Sequence, residues 1–328
     1  EEFDRSVRRA LDSLPERESK PVRRFSAKKI VCAGLAAALC IGGTAFAANA
    51  QSWFPLLFPN GGDANLEGYV QTADNAKLTD ENDSYRMSVE SVLFDESAGT
   101  GVISLHLENK KQDGVKPFTL AHLIDSYRNK PDITWSTLSS CYAEEGQLDF
   151  EVMYGDSGFC GSEFYLDTAR STDNDYYFEG AFAISSDYRQ GEPLRLEALE
   201  PGKTTVRADG AGTAKTVLAV DLPEFQQMPY LTSADGDVTL SQIGIRIRNA
   251  DMHCTVDEVD KLSVQLRDGS EYVILAENAD IDRTLYTYGF NSTEDTGRID
   301  TEIAVLARAF DLDNVQSVTI NGEVYPLS

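Results

Sequence analysis

The residues of this sequence able to do chemistry are three histidines, five cysteines and a large excess of carboxylates. His106, His122 and His253 stand in none of the spacings that make a site. There is no His-Glu-x-x-His pair, no Gly-x-Ser-x-Gly elbow and no glycine loop shaped for phosphate. His106 falls at a polar strand position, which predicts a solvent-facing imidazole. Glycoside cleavage needs two acids at a set separation, and so many acids single out no pair. Asp173-Asn174-Asp175, Asp235-Gly236-Asp237 and Asp311-Leu312-Asp313-Asn314 offer oxygens of the kind Ca²⁺ takes. None completes an EF-hand loop, and the local backbone bonding of Asp and Asn in turns explains them equally well. Cys141, Cys160 and Cys254 lie apart from Cys32 and Cys40, which sit in an apolar run as small apolar residues. A Cys141–Cys160 disulfide and buried free thiols both remain open, and no spacing is that of a zinc site. The expectation is a protein that is not an enzyme, with no catalytic residues, no metal ligands and no cofactor.

The apolar run is the strongest signal. No charge occurs from Ile30 to Gln51, and about 20 apolar residues cross a bilayer as a helix. Arg23, Arg24, Lys28 and Lys29 precede it, and the positive-inside rule keeps that side cytoplasmic. Trp53 and Phe54 follow, where aromatic rings settle between lipid and water. Residues 1–29 hold nine Lys or Arg and six Asp or Glu, a balance of +3; subtracting these from 29 and 54 leaves 20 and 48 beyond, a balance of −28. The basic end is expected inside and the acidic bulk outside. The rival reading is a cleaved export signal, because Ala45-Phe46-Ala47 and Ala48-Asn49-Ala50 fit the small-x-small pattern. Against it stands the long leader of mixed charge. Strong acidity also excludes a nucleic-acid partner, which needs a basic footprint.

In the leader, Phe3, Val7, Leu11 and Leu14 fall on one stripe of a short amphipathic helix closed by Pro15. A helix this short is marginal alone, so the stripe implies a surface to fold against. Either the inner leaflet or a cytoplasmic protein fits, and Phe3, Val7, Leu11 and Leu14 are the candidate partner-binding residues.

Beyond the run the chain is mostly β. Tyr85 to Leu93 alternates with apolar residues at most odd positions, the period of a half-buried strand. Ile103, Leu105 and Leu107 alternate after Gly99-Thr100-Gly101, suggesting a hairpin. Leu148, Phe150, Val152 and Tyr154 repeat the pattern, as do Phe178, Phe182 and Ile184. Pro223 to Pro229 is a two-proline connector. After it, Ile243, Ile245 and Ile247 face one way, and Leu262 to Leu275 folds back at Asp268-Gly269. Asn321-Gly322 marks another hairpin, and both dipeptides favour a type I′ turn. Thr301 to Phe310 reads either as a short helix or as a strand beginning at Ile299. The expected layout is a cytoplasmic segment 1–29, a transmembrane helix 30–51 and a juxtamembrane linker 52–66. A first β domain covers 67–222, and six or seven short strands form a second over 230–328. Both are expected to be immunoglobulin-like sandwiches.

The Phe3-to-Leu14 leader, the basic run before an Ala-rich span, Tyr85 to Asn109 and the closing Leu312-to-Gly322 stretch resemble a family. These are single-span Gram-positive envelope proteins regarded as anti-sigma factors, with ectodomains of unknown function. The resemblance implies that the inner segment binds an extracytoplasmic-function sigma factor and that the outer β domains sense an envelope condition. Loss of the anchor would then free the sigma factor. Gly42-Gly43-Thr44 weakens the span as a helix and would suit an intramembrane protease, although Gly34, Ala38 and Gly42 equally suit helix packing. The alternative is a secreted or surface-anchored β module that holds a cell-wall ligand.

Overall fold

The computed structural model describes residues 53–58, 62–72, 78–122, 139–142, 147–155, 158–184, 188–200, 215–248, 261–276, 286–291, 299–306 and 308–328. The leader stripe and the apolar run 30–51 lie outside the described residues. Within them, no helix is long and apolar enough to cross a membrane.

The described strands form antiparallel sheets stacked in pairs. An eight-stranded sheet holds β1 (Gln71–Thr72), β2 (Thr79–Glu81), β3 (Tyr85–Asp95), β4 (Thr100–Asn109), β5 (Thr119–His122), β6 (Ser139–Tyr142), β9 (Gly161–Leu166) and β10 (Asp175–Ala183). Its order is β1-β3-β4-β10-β9-β6-β5, with β2 also on β3. Facing it are β7 (Asp149–Tyr154), β8 (Gly158–Phe159), β11 (Leu194–Glu200) and β12 (Lys215–Asp221), ordered β12-β11-β7-β8. Beyond the proline connector, β13 (Tyr230–Thr232), β14 (Val238–Ser241), β15 (Gly244–Arg248), β18 (Tyr286–Asn291) and β19 (Ile299–Val305) form a sheet ordered β13-β14-β15-β19-β18. Its partner is built from β16 (Lys261–Leu266), β17 (Glu271–Ala276), β20 (Val315–Ile320) and β21 (Glu323–Pro326), ordered β17-β16-β20-β21.

Alternation explains the first core. Ile103, Leu105 and Leu107 of β4 and Phe178 and Phe182 of β10 point inward against Phe150, Val152, Leu196, Leu218 and Val220. Phe150 lies 5.2 Å from Phe178, and Phe94 stacks on Phe182 at 5.7 Å. Each such buried side chain contributes roughly 1.5–3 kcal/mol by leaving water. The second core joins Val238, Leu240, Ile245 and Ile247 to Leu262, Val264, Val315, Val318 and Ile320.

Three local expectations need correction. In β3 the ladder with β4 slips between Val89 and Ser91, so Glu90 is an extra residue. Such a bulge reverses which parity faces inward. Met87 and Val89 enter the first core from odd positions, but Val92 and Phe94 enter from even ones, and Leu93 turns to the opposite face. Ile243 likewise leaves the row of Ile245 and Ile247, because it precedes β15 and packs in a third cluster. The hairpins also differ. Asn321 (φ 49°) and Gly322 (φ 89°) are both left-handed, as a type I′ turn requires, whereas at Asp268-Gly269 only the glycine is. There Leu266 donates to Ser270 O at 2.9 Å around a three-residue loop, and Asp268 Oδ1 accepts the Ser270 N–H at 2.8 Å. The Thr301–Phe310 ambiguity resolves as strand as far as Val305, the end of β19.

The bulge has a direct test. Val92→Asp places a charge in a fully closed core and should abolish the cooperative unfolding transition in urea. Glu90→Ala, which removes a half-exposed ion pair with Arg170, should cost no more than about 1 kcal/mol.

Candidate functional site

The stretch just past the apolar run carries the most unusual geometry. Trp53-Phe54-Pro55-Leu56-Leu57-Phe58 makes one turn, closed by the Phe58 N–H on Phe54 O at 2.9 Å. Spacing of three and four residues puts Phe54, Leu57 and Phe58 on one side of that turn. Their rings and methyls form a third buried cluster with Ala64 and Leu66. The floor is the outer face of the eight-stranded sheet, through Leu93, Val102, Tyr165 and Ala181, and the roof is Ile243, Val305 and Ala309 of the second sandwich with Met228 of the connector. The expectation that Phe54 rests at a lipid boundary is therefore corrected: its ring is 0% exposed within the protein. The segment read as a linker is the packing between the sandwiches.

One carboxylate lies in this apolar seat. Glu179 of β10 is 2% exposed. Its Oε2 accepts the Leu56 and Leu57 N–H groups, each at 2.9 Å. The carboxylate thereby satisfies two backbone donors that packing against the sheet takes out of water. Removal from water pushes its pKa up to about 7. The amide bonds and Arg170 act the other way and Asp167 adds to the rise, but desolvation is the largest effect.

The segment is tied to the second sandwich as well. Gly62 makes an isolated parallel bridge to Ala309, and the Asp63 N–H reaches Ala309 O at 3.0 Å. Gly62 has φ 144°, and a Cβ there would lie 2.2 Å from Ala309 O, so only glycine fits. Asp63 also pairs with Arg308 at 2.8 Å.

Nearby, a polar seam joins the two sandwiches. Asp95, at the end of β3, is fully buried, and burial raises its pKa against the opposing pull of the Ser241 hydroxyl, the Ser97 and Ala98 amides and Arg246. Arg246 of β15 is pushed down to about 10 by burial, with Arg248 adding to the fall. Its guanidinium occupies the space over Gly99, where a Cβ would meet it at 2.1 Å.

The sequence-predicted candidates fare variously. Phe3, Val7, Leu11 and Leu14 lie outside the described residues. His106 is not simply solvent-facing: it stacks on Tyr177 at 4.4 Å and sits 3.1 Å from Asp175 Oδ1. Of His122 only the backbone, in β5, is described, and His253 lies outside. The acidic clusters serve turns. Asp235 accepts the Asp237 N–H at 3.1 Å, Asp311 caps the short 3-10 turn 312–314, and Asn174 Oδ1 accepts the Gly114 N–H. Among the described residues no three His, Cys, Asp or Glu side chains gather in a way that would hold a metal ion. Cys160 is a buried free thiol with its pKa driven up by desolvation, and of Cys141 only the backbone, in β6, is described. Glu179 was missed because it holds an outward strand position, where a carboxylate is unremarkable. Its neighbour Ala181, a small apolar residue on the same face, was the available hint that the face is covered.

No family model, curated protein or solved structure matches this chain.

Phe54→Ala should lower the unfolding free energy by about 3–5 kcal/mol, the usual cost of deleting an enclosed ring. Urea denaturation of the full chain checks this, and it should also raise protease sensitivity near residue 58.

Proposed function

We propose that this chain is a membrane-anchored regulator resembling an anti-sigma factor. Its apolar segment 30–51 crosses the cell membrane once, and Phe3, Val7, Leu11 and Leu14 bind an extracytoplasmic-function sigma factor inside. The acidic β body lies outside and senses an envelope condition, with a cell-wall ligand as the stimulus it would meet there. The observation that carries the reading is the seat of Trp53–Phe58. Because that segment follows the apolar run in sequence and packs between the sandwiches, it is the part of the β body through which a displacement of the sandwiches would be passed to the span. The charge division of +3 before residue 30 and −28 after it supports the orientation.

We also infer that the second sandwich is immunoglobulin-like. The order β14-β15-β19-β18 parallels the A-B-E-D sheet of that architecture, and β17-β16-β20-β21 parallels C′-C-F-G. In the first sandwich β10 lies between β4 and β9, an order of another kind, so the inference is confined to the second.

The function is tested by fractionating cells and measuring the mass of the mature chain, then using residues 1–29 as bait. Membrane location with the leader attached, and recovery of a sigma factor on the bait, are the expected results. A mature chain starting near Gln51 and found in the medium would overturn the reading and leave a secreted β binding module. Cleavage at Ala47 or Ala50 would still keep the whole Trp53–Phe58 seat.

A further inference from the structure

The seat is built around a group whose charge can change. Glu179 is enclosed by elements that supply little to neutralise it. Among the described residues, the segment above brings two N–H groups, those of Leu56 and Leu57, and the apolar cluster of Phe54, Leu57 and Phe58 with Trp53 and Leu56 packed against it. On β9, the directly opposite residue is Tyr165, whose hydroxyl donates to Glu163 at 2.8 Å. On β4 the opposite residue is Ser104, whose hydroxyl donates to Glu90 of β3 at 3.1 Å. In the turn after β9, Asp167 spends Oδ1 on the amides of Ala169 and Arg170. Arg170 itself is committed elsewhere, with its guanidinium on both Glu90 oxygens at 3.0 and 2.9 Å and over the Tyr177 ring at 4.1 Å. The second sandwich adds Val305, Ile243 and Ala309, all apolar, and its Arg308 is paired with Asp63.

We propose that Glu179 is a proton-operated latch on segment 53–58: protonated, it lets the segment sit firmly between the sandwiches, and ionised, it loosens that seat. The geometry gives the direction. With the segment in place the carboxyl is buried among apolar groups, and with the segment lifted it faces water from the outer surface of an intact sheet. Burial favours the neutral form more than two amide bonds favour the charged one. Seating therefore takes up a proton. A carboxyl whose value rises from the ordinary 4.5 to about 7 when buried makes the seated state lose stability as pH climbs through that window, with no change below or above it. A neutral carboxyl still presents a carbonyl oxygen to Leu56 and Leu57, so the hydrogen bonds survive protonation. The latch rests on the regulatory reading and deepens it: mild acid outside the cell holds the segment next to the span, and a rise toward neutrality frees it.

The test is amide hydrogen exchange of the full chain in detergent, followed by mass spectrometry of the peptide that covers Leu56 and Leu57. After correction for intrinsic rates, protection there should fall on the order of twenty-fold between pH 5.5 and pH 8. Peptides from β7 and β11 should change much less. Glu179→Gln, a neutral stand-in that keeps an acceptor oxygen, should flatten the pH dependence and be better protected than the native chain at pH 8. Protection of residues 56 and 57 that is level across this pH range, or a Gln variant less protected at pH 8, would overturn the latch. If the variant does not fold, the native pH series alone decides. The outcome is separate from the function test, because bait recovery concerns residues 1–29 and exchange concerns the seat.

Discussion

A β-sheet with both faces covered is the constraint around which this molecule is arranged. The eight-stranded sheet packs one face on its four-stranded partner, and over part of its length packs the other on residues 53–58, Ala64, Leu66 and the second sandwich. A strand in that position cannot keep the simple alternation of apolar and polar residues. The sequence meets the demand with Leu93, Val102, Tyr165 and Ala181 at positions that would otherwise face water. Further along the same face the outward residues become polar: Ser104, His106, Glu90 and Tyr177, which bond or stack among themselves and with Arg170. The boundary between the two regimes fixes where the segment can lie.

Close approach sets the second requirement. The bulge at Glu90 turns Leu93 outward while keeping Val92 and Phe94 in the core, so one inserted residue serves both layers. Gly62 brings its backbone against Ala309 at a distance no side chain would permit, and Gly99 leaves room for the Arg246 guanidinium. The apolar seat and the polar seam are therefore different kinds of attachment between the same two bodies. The first depends on excluded water. The second depends on a buried acid, Asp95, facing a buried base, Arg246, with burial raising the pKa of the one and lowering that of the other.

These devices differ in how far they show in the sequence. Strands with an unbroken period, such as Phe150-Val152-Tyr154, Ile103-Leu105-Leu107 and Leu262-Val264, were legible because one face is core and the other is not. The Asn321-Gly322 turn was legible because both residues tolerate positive φ. Asp268-Gly269 was misread because an Asp side chain can bond forward to Ser270 from ordinary backbone angles, which makes a three-residue loop as good as the two-residue one. Leu93 was assigned to the wrong layer because a bulge carries no signal in a binary pattern. The seat was invisible for a deeper reason. Phe54, Leu57 and Phe58 follow an apolar run, and hydrophobicity alone does not say whether such residues meet lipid or protein. Glu179 looks like any solvated strand acid until the segment that covers it is known to lie there.

The position of Arg170 explains why that acid stays unpaired. A guanidinium within reach of a buried carboxylate normally neutralises it, and a paired acid would titrate far below neutrality. Here Arg170 is drawn to Glu90, an acid exposed by the bulge, and to the face of Tyr177, contacts that cost it less desolvation than entering the seat would. The bulge thus acts twice: it reverses the parity that sends Leu93 into the seat, and it presents the carboxylate that keeps the nearest cation out of it. The charge state of the seat is left chiefly to burial, opposed by the two amides of Leu56 and Leu57, so a change confined to Glu90 would alter the electrostatics of Glu179 without touching the segment it holds.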